Sequence, residues 1–380
     1  MTLSLEEGRY DRQELISWWD QGRIRGSHIL VVGAGALGNE VVKNLVLLGV
    51  GSIEVVDLDI VERSNLARCI FFREEDNGRW KAEVVAERAS SVNPEVRITG
   101  RQLDVTKCGV GWVAGFDLVI GALDNREARL WINQACRKMG VTWIDGAIEG
   151  IRGVVKVFPP DGACYECTLG ERDREILSRR RSCALLSTEE MLLGKVPTTA
   201  TSASMIAALE TQEAIRVLHG QESPIANSGW IFTGEVFDSY IVNFTEDEWC
   251  LAHDRYTSLE PAAFTAELTL SDLLEGASRH LGSPPDSIDL ETELIRSASC
   301  PSCMWASPIN KLLNATDPAE ATCPTCHELG VLDVTMSIAP DDAVTLLSLR
   351  AMGVPDSDVV TIRAGEGRAH YLLKNDQRGG

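Results

Sequence analysis

The chain is short of positive charge. Its 380 residues hold 36 Lys and Arg against 56 Asp and Glu, a formal net charge of −20. That balance argues against nucleic acid or an anionic membrane as a partner, and it suits a partner with a basic face. The chain also lacks any uninterrupted apolar run of ~18 residues, so no membrane span is expected. Met1 to Asp11 is polar and acidic, without the apolar stretch of a secretory signal, and a cytoplasmic location is the expectation. No tandem repeat and no low-complexity tract interrupts the sequence. Hydrophobic residues make up 44% of it, enough over this length for one large domain and a smaller one.

Cysteine is the exception to this scarcity. Eleven cysteines in a chain read as cytoplasmic call for metal or catalytic roles rather than disulfides. Cys300-Pro-Ser-Cys303 and Cys323-Pro-Thr-Cys326 are two C-x-x-C knuckles about 20 residues apart, the spacing of a four-thiolate zinc ribbon. The competing reading, two redox pairs, lacks a thioredoxin-like context; His327 is a bystander. Cys164-Tyr-Glu-Cys167 and Cys250-Leu-Ala-His253 are ambiguous when taken singly. Cys136 falls in an apolar helix and reads as core. Cys183 follows Arg179-Arg-Arg-Ser182, and nearby cations favour a thiolate able to attack an acyl group. The alternative for it is an inert thiol beside a solvated arginine cluster.

The most informative stretch is His28-Ile-Leu-Val-Val-Gly-Ala-Gly-Ala-Leu-Gly38. Ile29 to Val32 predict a buried parallel strand, and Gly33, Gly35 and Gly38 a G-x-G-x-x-G turn into an apolar helix over Asn39 to Leu48. A second strand, Ser52 to Val56, ends on Asp57, about 20 residues past the last glycine. There an acid meets a nucleotide ribose while the glycines admit phosphates to the helix N-terminus. Arg68 and Lys81 supply fixed cations suited to a triphosphate. Asp124 follows the apolar strand Asp117 to Gly121, at the strand end where α/β sheets bind ligands, and a carboxylate there is a candidate Mg²⁺ ligand. Each of these charged residues, taken alone, reads equally as ordinary surface charge.

Taken in order, these segments resemble the ThiF/MoeB and ubiquitin-activating-enzyme superfamily. The matching stretches are Arg9-Tyr-Asp-Arg-Gln13, Val32 to Gly38, Val55-Val-Asp-Leu-Asp59, Ser64-Asn-Leu-Ala-Arg68, Lys81, Ala122-Leu-Asp-Asn125 and Ile144-Asp-Gly-Ala-Ile-Glu-Gly150. The resemblance implies a Rossmann-like α/β adenylation domain that binds ATP and Mg²⁺ and activates the C-terminal glycine of a ubiquitin-like protein, typically as a homodimer. Asp57 would bind the ribose, Asn65, Arg68 and Lys81 the phosphates, and Asp124 would serve Mg²⁺-ATP, with Ser64 and Asn125 also among the nucleotide-binding residues, and Arg12 would reach the neighbouring subunit's site. Cys69 departs from the glutamine usual after the family arginine. By family position, Cys164, Cys167, Cys250 and His253 would hold one zinc, and the ribbon a second; the rival pairs Cys164 and Cys167 with a knuckle of the ribbon. Cys183 stands where some members form a thioester before passing the carrier to a conjugating enzyme. Sulfur-carrier or peptide adenylation without a thioester is the runner-up, and a non-catalytic nucleotide-regulated zinc scaffold the third reading.

The expected organisation is a helical arm over 1–28, the adenylation domain over 29–258 with a catalytic-cysteine segment at 168–200, and an α+β zinc-ribbon or docking domain over 259–380. Within it, Tyr256 to Pro261 reads as a linker, and helices are expected over Ala128–Met139, Ser204–Leu218, Leu270–Leu281 and Asp341–Met352. Strands are expected over Trp230–Phe232, Tyr240–Phe244, Val331–Ile338 and Asp358–Arg363. The terminal Gly379-Gly380 reads as a flexible tail.

Overall fold

The computed structural model describes residues 8–170, 197–260 and 264–374. They divide into two compact units. The first gathers residues 8–105, 113–168 and 197–254, and the second is built mainly from residues 255 onward, joined by 106–112.

The first unit opens with two short helices, α1 (Asp11–Glu14) and α2 (Gln21–Gly26). Apolar Ile29 to Val32 make β1 (His28–Val32), which must be buried on both faces because helices cover a parallel sheet. The chain crosses through α3 (Ala36–Leu48) to β2 (Ser52–Asp57), then through α4 (Lys81–Val92) to β3 (Arg97–Gln102). It returns to the other side of β1 as β4 (Leu118–Gly121), then passes through α5 (Arg126–Met139) to β5 (Trp143–Glu149). Val31 is flanked by Val55 on one side and Ile120 on the other, both in parallel register. From β5 the sheet turns antiparallel, through β6 (Arg152–Phe158), β7 (Ser228–Thr233) and β8 (Asp238–Asn243). The order is β3-β2-β1-β4-β5-β6-β7-β8. The chain reverses direction across the sheet between β1 and β4, the switch point at which open α/β sheets bind ligands. Helix α6 (Ala200–Leu218) packs against α3 and starts where Thr199 Oγ1 accepts from Ser202 N at 3.2 Å.

The second unit is α+β. Helix α7 (Leu270–Leu281) starts at a Thr269/Asp272 capping box and stops at left-handed Gly282. Its apolar face packs on an antiparallel sheet of β9 (Ser287–Cys300), β10 (Trp305–Leu312), β11 (Val331–Ile338), β12 (Val359–Ala364) and β13 (Gly367–Leu372). Two expectations fail here. Asp341–Met352 is not a helix: only the short 3-10 turn Ala343–Leu346 is helical. The strand-like partners of this segment explain why, since Leu270 N donates to Leu347 O, Leu349 N to Leu268 O and Arg350 N to Ala266 O. These bonds to a distant segment replace the helical ones and still bury Leu349 and Met352. Nor does Tyr256–Glu260 behave as a free linker: Tyr256 packs on the His370 ring and Glu260 N donates to His370 O.

Candidate active site

The three glycines do different work. Gly33 has φ +103°, and a Cβ there would fall 2.3 Å from the Ala122 carbonyl oxygen; a Cβ on Gly38 would lie 1.9 Å from the Gly33 carbonyl oxygen. Both therefore let backbone cross backbone. Gly35 has no atom within 4 Å of its would-be Cβ. It leaves open space at the α3 N-terminus, where unpaired amides favour an anion. Buried Asn39 pins this loop: its Nδ2 donates to Ala34 O (2.8 Å) and Gly35 O (3.0 Å), and its Oδ1 accepts from Phe71 N.

Asp57 ends β2 and is tied to the loop. Its Oδ2 accepts from Ala34 N at 2.7 Å and its Oδ1 from Asp59 N at 2.8 Å. Burial pushes its pKa up against the pull of Lys81. Lys81, the first residue of α4, donates from Nζ to Asp59 Oδ2 at 2.7 Å. Burial works to lower its pKa, but Asp57 and Asp59 outweigh that and hold it above the ordinary lysine value, so it stays cationic. Arg68 and Lys81 both act on buried Cys69, which burial nonetheless pushes up to about 11. That thiol is no nucleophile near neutral pH. Asn65 is buried and caps its own turn, accepting from Glu62 N, and Ser64 Oγ donates to Glu62. Arg68 donates to the Ser64 carbonyl.

Ala122 N donates to Val32 O, which seats the Ala122–Asn125 loop beside the glycines. Asp124 is exposed, and among the described residues its carboxylate makes no hydrogen bond or salt bridge. Asn125 caps α5, its Oδ1 accepting from Ala128 N at 2.7 Å. Sequence reasoning missed what lies beneath. Arg129 donates from Nε to buried Asp145 Oδ1 at 2.9 Å, and from Nη2 to the carbonyls of Leu123 and Gly146. The carbonyl just before Asp124 is thus held by a buried guanidinium. Lys156 approaches the other Asp145 oxygen at 3.6 Å. Glu210, fully buried in α6, sits over Gly146, where a Cβ would lie 2.4 Å from its carboxyl group. Burial, aided by Asp145, raises its pKa well above the carboxylate range.

Arg12 is the described site residue that the structure does not bring to the others. Nearby Tyr10 lies against Gly49 and accepts from Asn93 Nδ2 at 2.8 Å, at the C-terminal ends of α3 and α4. The glycine loop and Lys81 lie at their N-terminal ends, and a helix of this length spans about 20 Å. Cys183 lies outside the described residues.

Two sets of metal-ligating side chains gather separately: Cys164, Cys167, Cys250 and His253 in the first unit, and Cys300, Cys303, Cys323 and Cys326 in the second. Within each set the ligand atoms lie within 4.8 Å of one another. This overturns the rival pairing of Cys164 and Cys167 with a ribbon knuckle. In the first set Cys164 Sγ is 3.7 Å from both Cys167 Sγ and Cys250 Sγ. A tetrahedron of Zn–S bonds of ~2.3 Å has edges of about 3.8 Å, so the donors fit zinc. His253 Nε2 lies 3.1 Å from Cys167 Sγ while its Nδ1 faces Glu246 at 3.4 Å, the outer carboxylate that orients a ligating imidazole.

The family model described as ThiF family matches residues 10–250. The chain belongs to the ThiF family. It is 39% identical over 178 residues to the SAMP-activating enzyme E1 of Haloferax volcanii, covering 45% of this chain and 66% of that protein. It is 39% identical over 148 residues to SUMO-activating enzyme subunit 2 of Dictyostelium discoideum, covering 38% of this chain but only 22% of that one. It is 33% identical over 231 residues to a sulfur carrier protein adenylyltransferase of Thermus thermophilus, covering 58% and 81%. The chain thus spans less than two thirds of the first two relatives. A crystal structure of E. coli MccB with ATP shares the fold, with a TM-score of 0.55 at 22% identity over 66% of this chain and 75% of that one. Residues 255 onward, which make up most of the second unit, lie past the end of the family match.

Proposed function

We propose that this ThiF-family chain adenylates the C-terminal glycine of a ubiquitin-like or sulfur-carrier protein. The observation that carries it is the set of features at the switch point of the sheet: the open space over Gly35, the cationic Lys81 and the exposed carboxylate of Asp124. A carboxylate oxygen of the carrier attacks the α-phosphorus of ATP, the bond to the bridging oxygen breaks, and pyrophosphate leaves with that electron pair. The product is an acyl-adenylate. Lys81, Arg68 and the α3 amides oppose the charge that builds on the phosphates, and such fixed charges and dipoles carry most of the acceleration. Asp124 would hold Mg²⁺, which supplies charge neutralisation for the departing pyrophosphate. Asp57 would hold the ribose, and Asn39 and Arg129 keep the loops in place. Arg12 would serve the site of a second copy in a homodimer, where exposed Leu15, Ile16 and Trp18 beside it would be covered.

Cys183 would then take the acyl group. Its thiolate attacks the carrier's carbonyl carbon and AMP departs, leaving a thioester to pass to a conjugating enzyme. Cys69 and Cys136 are too buried to substitute for it. The zinc of the first set, held by four protein ligands, would be structural, tying the loop after β6 to the segment after β8. The second reading, adenylation without a thioester, is favoured by the alignment to the sulfur carrier protein adenylyltransferase, the longest of the three.

ATP–pyrophosphate exchange in the presence of Gly-Gly-ended carriers tests the proposal. Exchange should appear only with a carrier, and Asp124→Ala should lower it more than tenfold, at least about 1.4 kcal/mol in barrier. A folded, ATP-binding protein that exchanges with no carrier of either class would turn out to be a nucleotide-regulated scaffold instead.

A further inference from the structure

Beyond the family match, the sheet of the second unit rests on two cores of unequal size. The larger surrounds α7 and includes Ile288, Leu290 and Leu294 of β9 together with Val360, Ile362 and Tyr371. The smaller has only Ile295, Ala298 and Ala321 fully buried, with Trp305, Leu329 and Leu332 partly so. A core of that size cannot offset the chain entropy of ordering the segments around it. Yet β9, β10 and β11 remain paired to their ends there, with Trp305 opposite Cys300 and Val331 opposite Ser299.

What stands at that end is a pair of equivalent turns, Cys300-Pro-Ser-Cys-Met304 and Cys323-Pro-Thr-Cys-His327. In each, proline follows the first cysteine and presets the turn. In each, the residue after the second cysteine is left-handed, Met304 at φ +52° and His327 at φ +59°. For a residue with a side chain that conformation is unfavourable and persists only where its surroundings impose it. Each turn closes on itself by a backbone bond: Cys303 N donates to Cys300 O and His327 N to Cys323 O. The 3.7 Å contact between Cys300 Sγ and Cys326 Sγ joins one turn to the other, and all four sulfurs lie within 4.8 Å. Two independent redox pairs would not need the sulfurs of one turn to meet those of the other. Four convergent thiolates repel one another unless a soft cation lies among them.

We propose that these four cysteines bind one zinc ion and that this ion, in place of a hydrophobic core, folds the outer end of the sheet of the second unit. Two left-handed side-chain-bearing residues at matched positions are the mark of that constraint. The inference does not depend on adenylation.

The test uses the full chain. Zinc is counted by mass spectrometry in the wild type, in Cys326→Ser and in Cys326→His, and amide hydrogen exchange is followed in each. Cys326→Ser should lose one zinc per chain, and exchange should quicken by roughly tenfold or more around Ala298 and Leu332 while α7 and β12 keep their protection. Cys326→His, which retains a ligand, should recover the metal and the protection. Cobalt-loaded wild type should show intense sulfur-to-cobalt absorption that Cys326→Ser weakens. Met304→Gly combined with His327→Gly relieves the strained turns and should retain zinc even if a cysteine variant fails to fold. Unchanged zinc in Cys326→Ser, or zinc loss without faster exchange around Ala298, would overturn the proposal.

Discussion

Two alanines, placed three residues apart, separate a phosphate cradle from a packing glycine. At Gly35 the backbone is extended (φ −73°, ψ −158°), open to any residue, and nothing lies within 4 Å of a new Cβ. Alanine there loses some helix N-cap preference, roughly 0.5–1 kcal/mol. It gains about as much by restricting the unfolded chain. The two nearly cancel, so Gly35→Ala should melt within a few degrees of wild type. At Gly38 the new methyl would lie 1.9 Å from the Gly33 carbonyl oxygen, which belongs to the backbone and cannot rotate away. The helix-propensity gain of about 1 kcal/mol is then set against overpacking of roughly 1–3 kcal/mol or more. Gly38→Ala should therefore be the less stable protein.

Nucleotide binding should order the pair differently. The Gly35 methyl would occupy the space left for the phosphates, so ATP affinity by titration calorimetry should fall at least tenfold, about 1.4 kcal/mol, in a protein that melts normally. A Gly35→Ala chain that binds ATP as tightly as wild type would mean that the open space over the α3 N-terminus is not the phosphate site. The proposed chemistry would then lose its location, whatever the family.

Three further outcomes are expected. Mixing Arg12→Ala chains with Asp124→Ala chains should restore part of the exchange activity, because a mixed dimer contains one site free of both defects; no rescue despite verified subunit exchange would confine Arg12 to its own chain. Cys183→Ala should retain exchange yet lose a reductant-sensitive enzyme–carrier band on a denaturing gel, and persistence of that band would point to another thiol. Glu210 carries a pH signature: its folded pKa is raised above the ordinary 4.5, so the stability it contributes is present below that value and is lost as pH rises through the folded one. Glu210→Gln should thus gain on wild type in chemical denaturation as pH climbs above 4.5, by up to about 1.4 kcal/mol per pH unit. A gap that stays constant across that range would show that Glu210 does not titrate on unfolding.

What the sequence disclosed was local. Strand, glycine turn, helix and second strand follow one another within a single crossover, and each carries its own periodicity, so β1, α3 and β2 could be read directly. The bounds of α7 were equally plain, because Thr269 and Gly282 mark its two ends. Both metal-ligand sets were visible as short pairs, although the first needed a family resemblance to join Cys164 to Cys250 across the strands between them. Strand β9 was missed for a physical reason. Its inward positions alternate through Ile288 and Leu290, but Leu294 and Ile295 are consecutive and both buried, where its neighbours β10 and β11 slip register. The Arg129–Asp145 pair and Glu210 were beyond reach because strand pairing and helix packing, not sequence spacing, bring them together.

Under the proposed chemistry, the charges described around the glycine loop leave a part for other groups to supply. Lys81 is the most enclosed cation there, but Asp59 accepts from it directly and Asp57 lies close enough to raise its pKa. Much of its charge is therefore already balanced. The guanidinium of Arg68 is engaged by the Ser64 carbonyl, a neutral partner, so its charge stays uncompensated. Among the described residues of this loop, one such cation and a helix N-terminus worth about half a charge leave a triphosphate, which must also gain negative charge on its leaving oxygens, short of positive charge. A metal on the exposed carboxylate of Asp124 would supply one part of the deficit. The other part cannot come from Arg12 of the same chain, which is carried at the opposite ends of α3 and α4. Under the proposed chemistry, a second copy contributing Arg12 would complete the local electrostatics, and a monomer would then bind nucleotide while failing to turn it over.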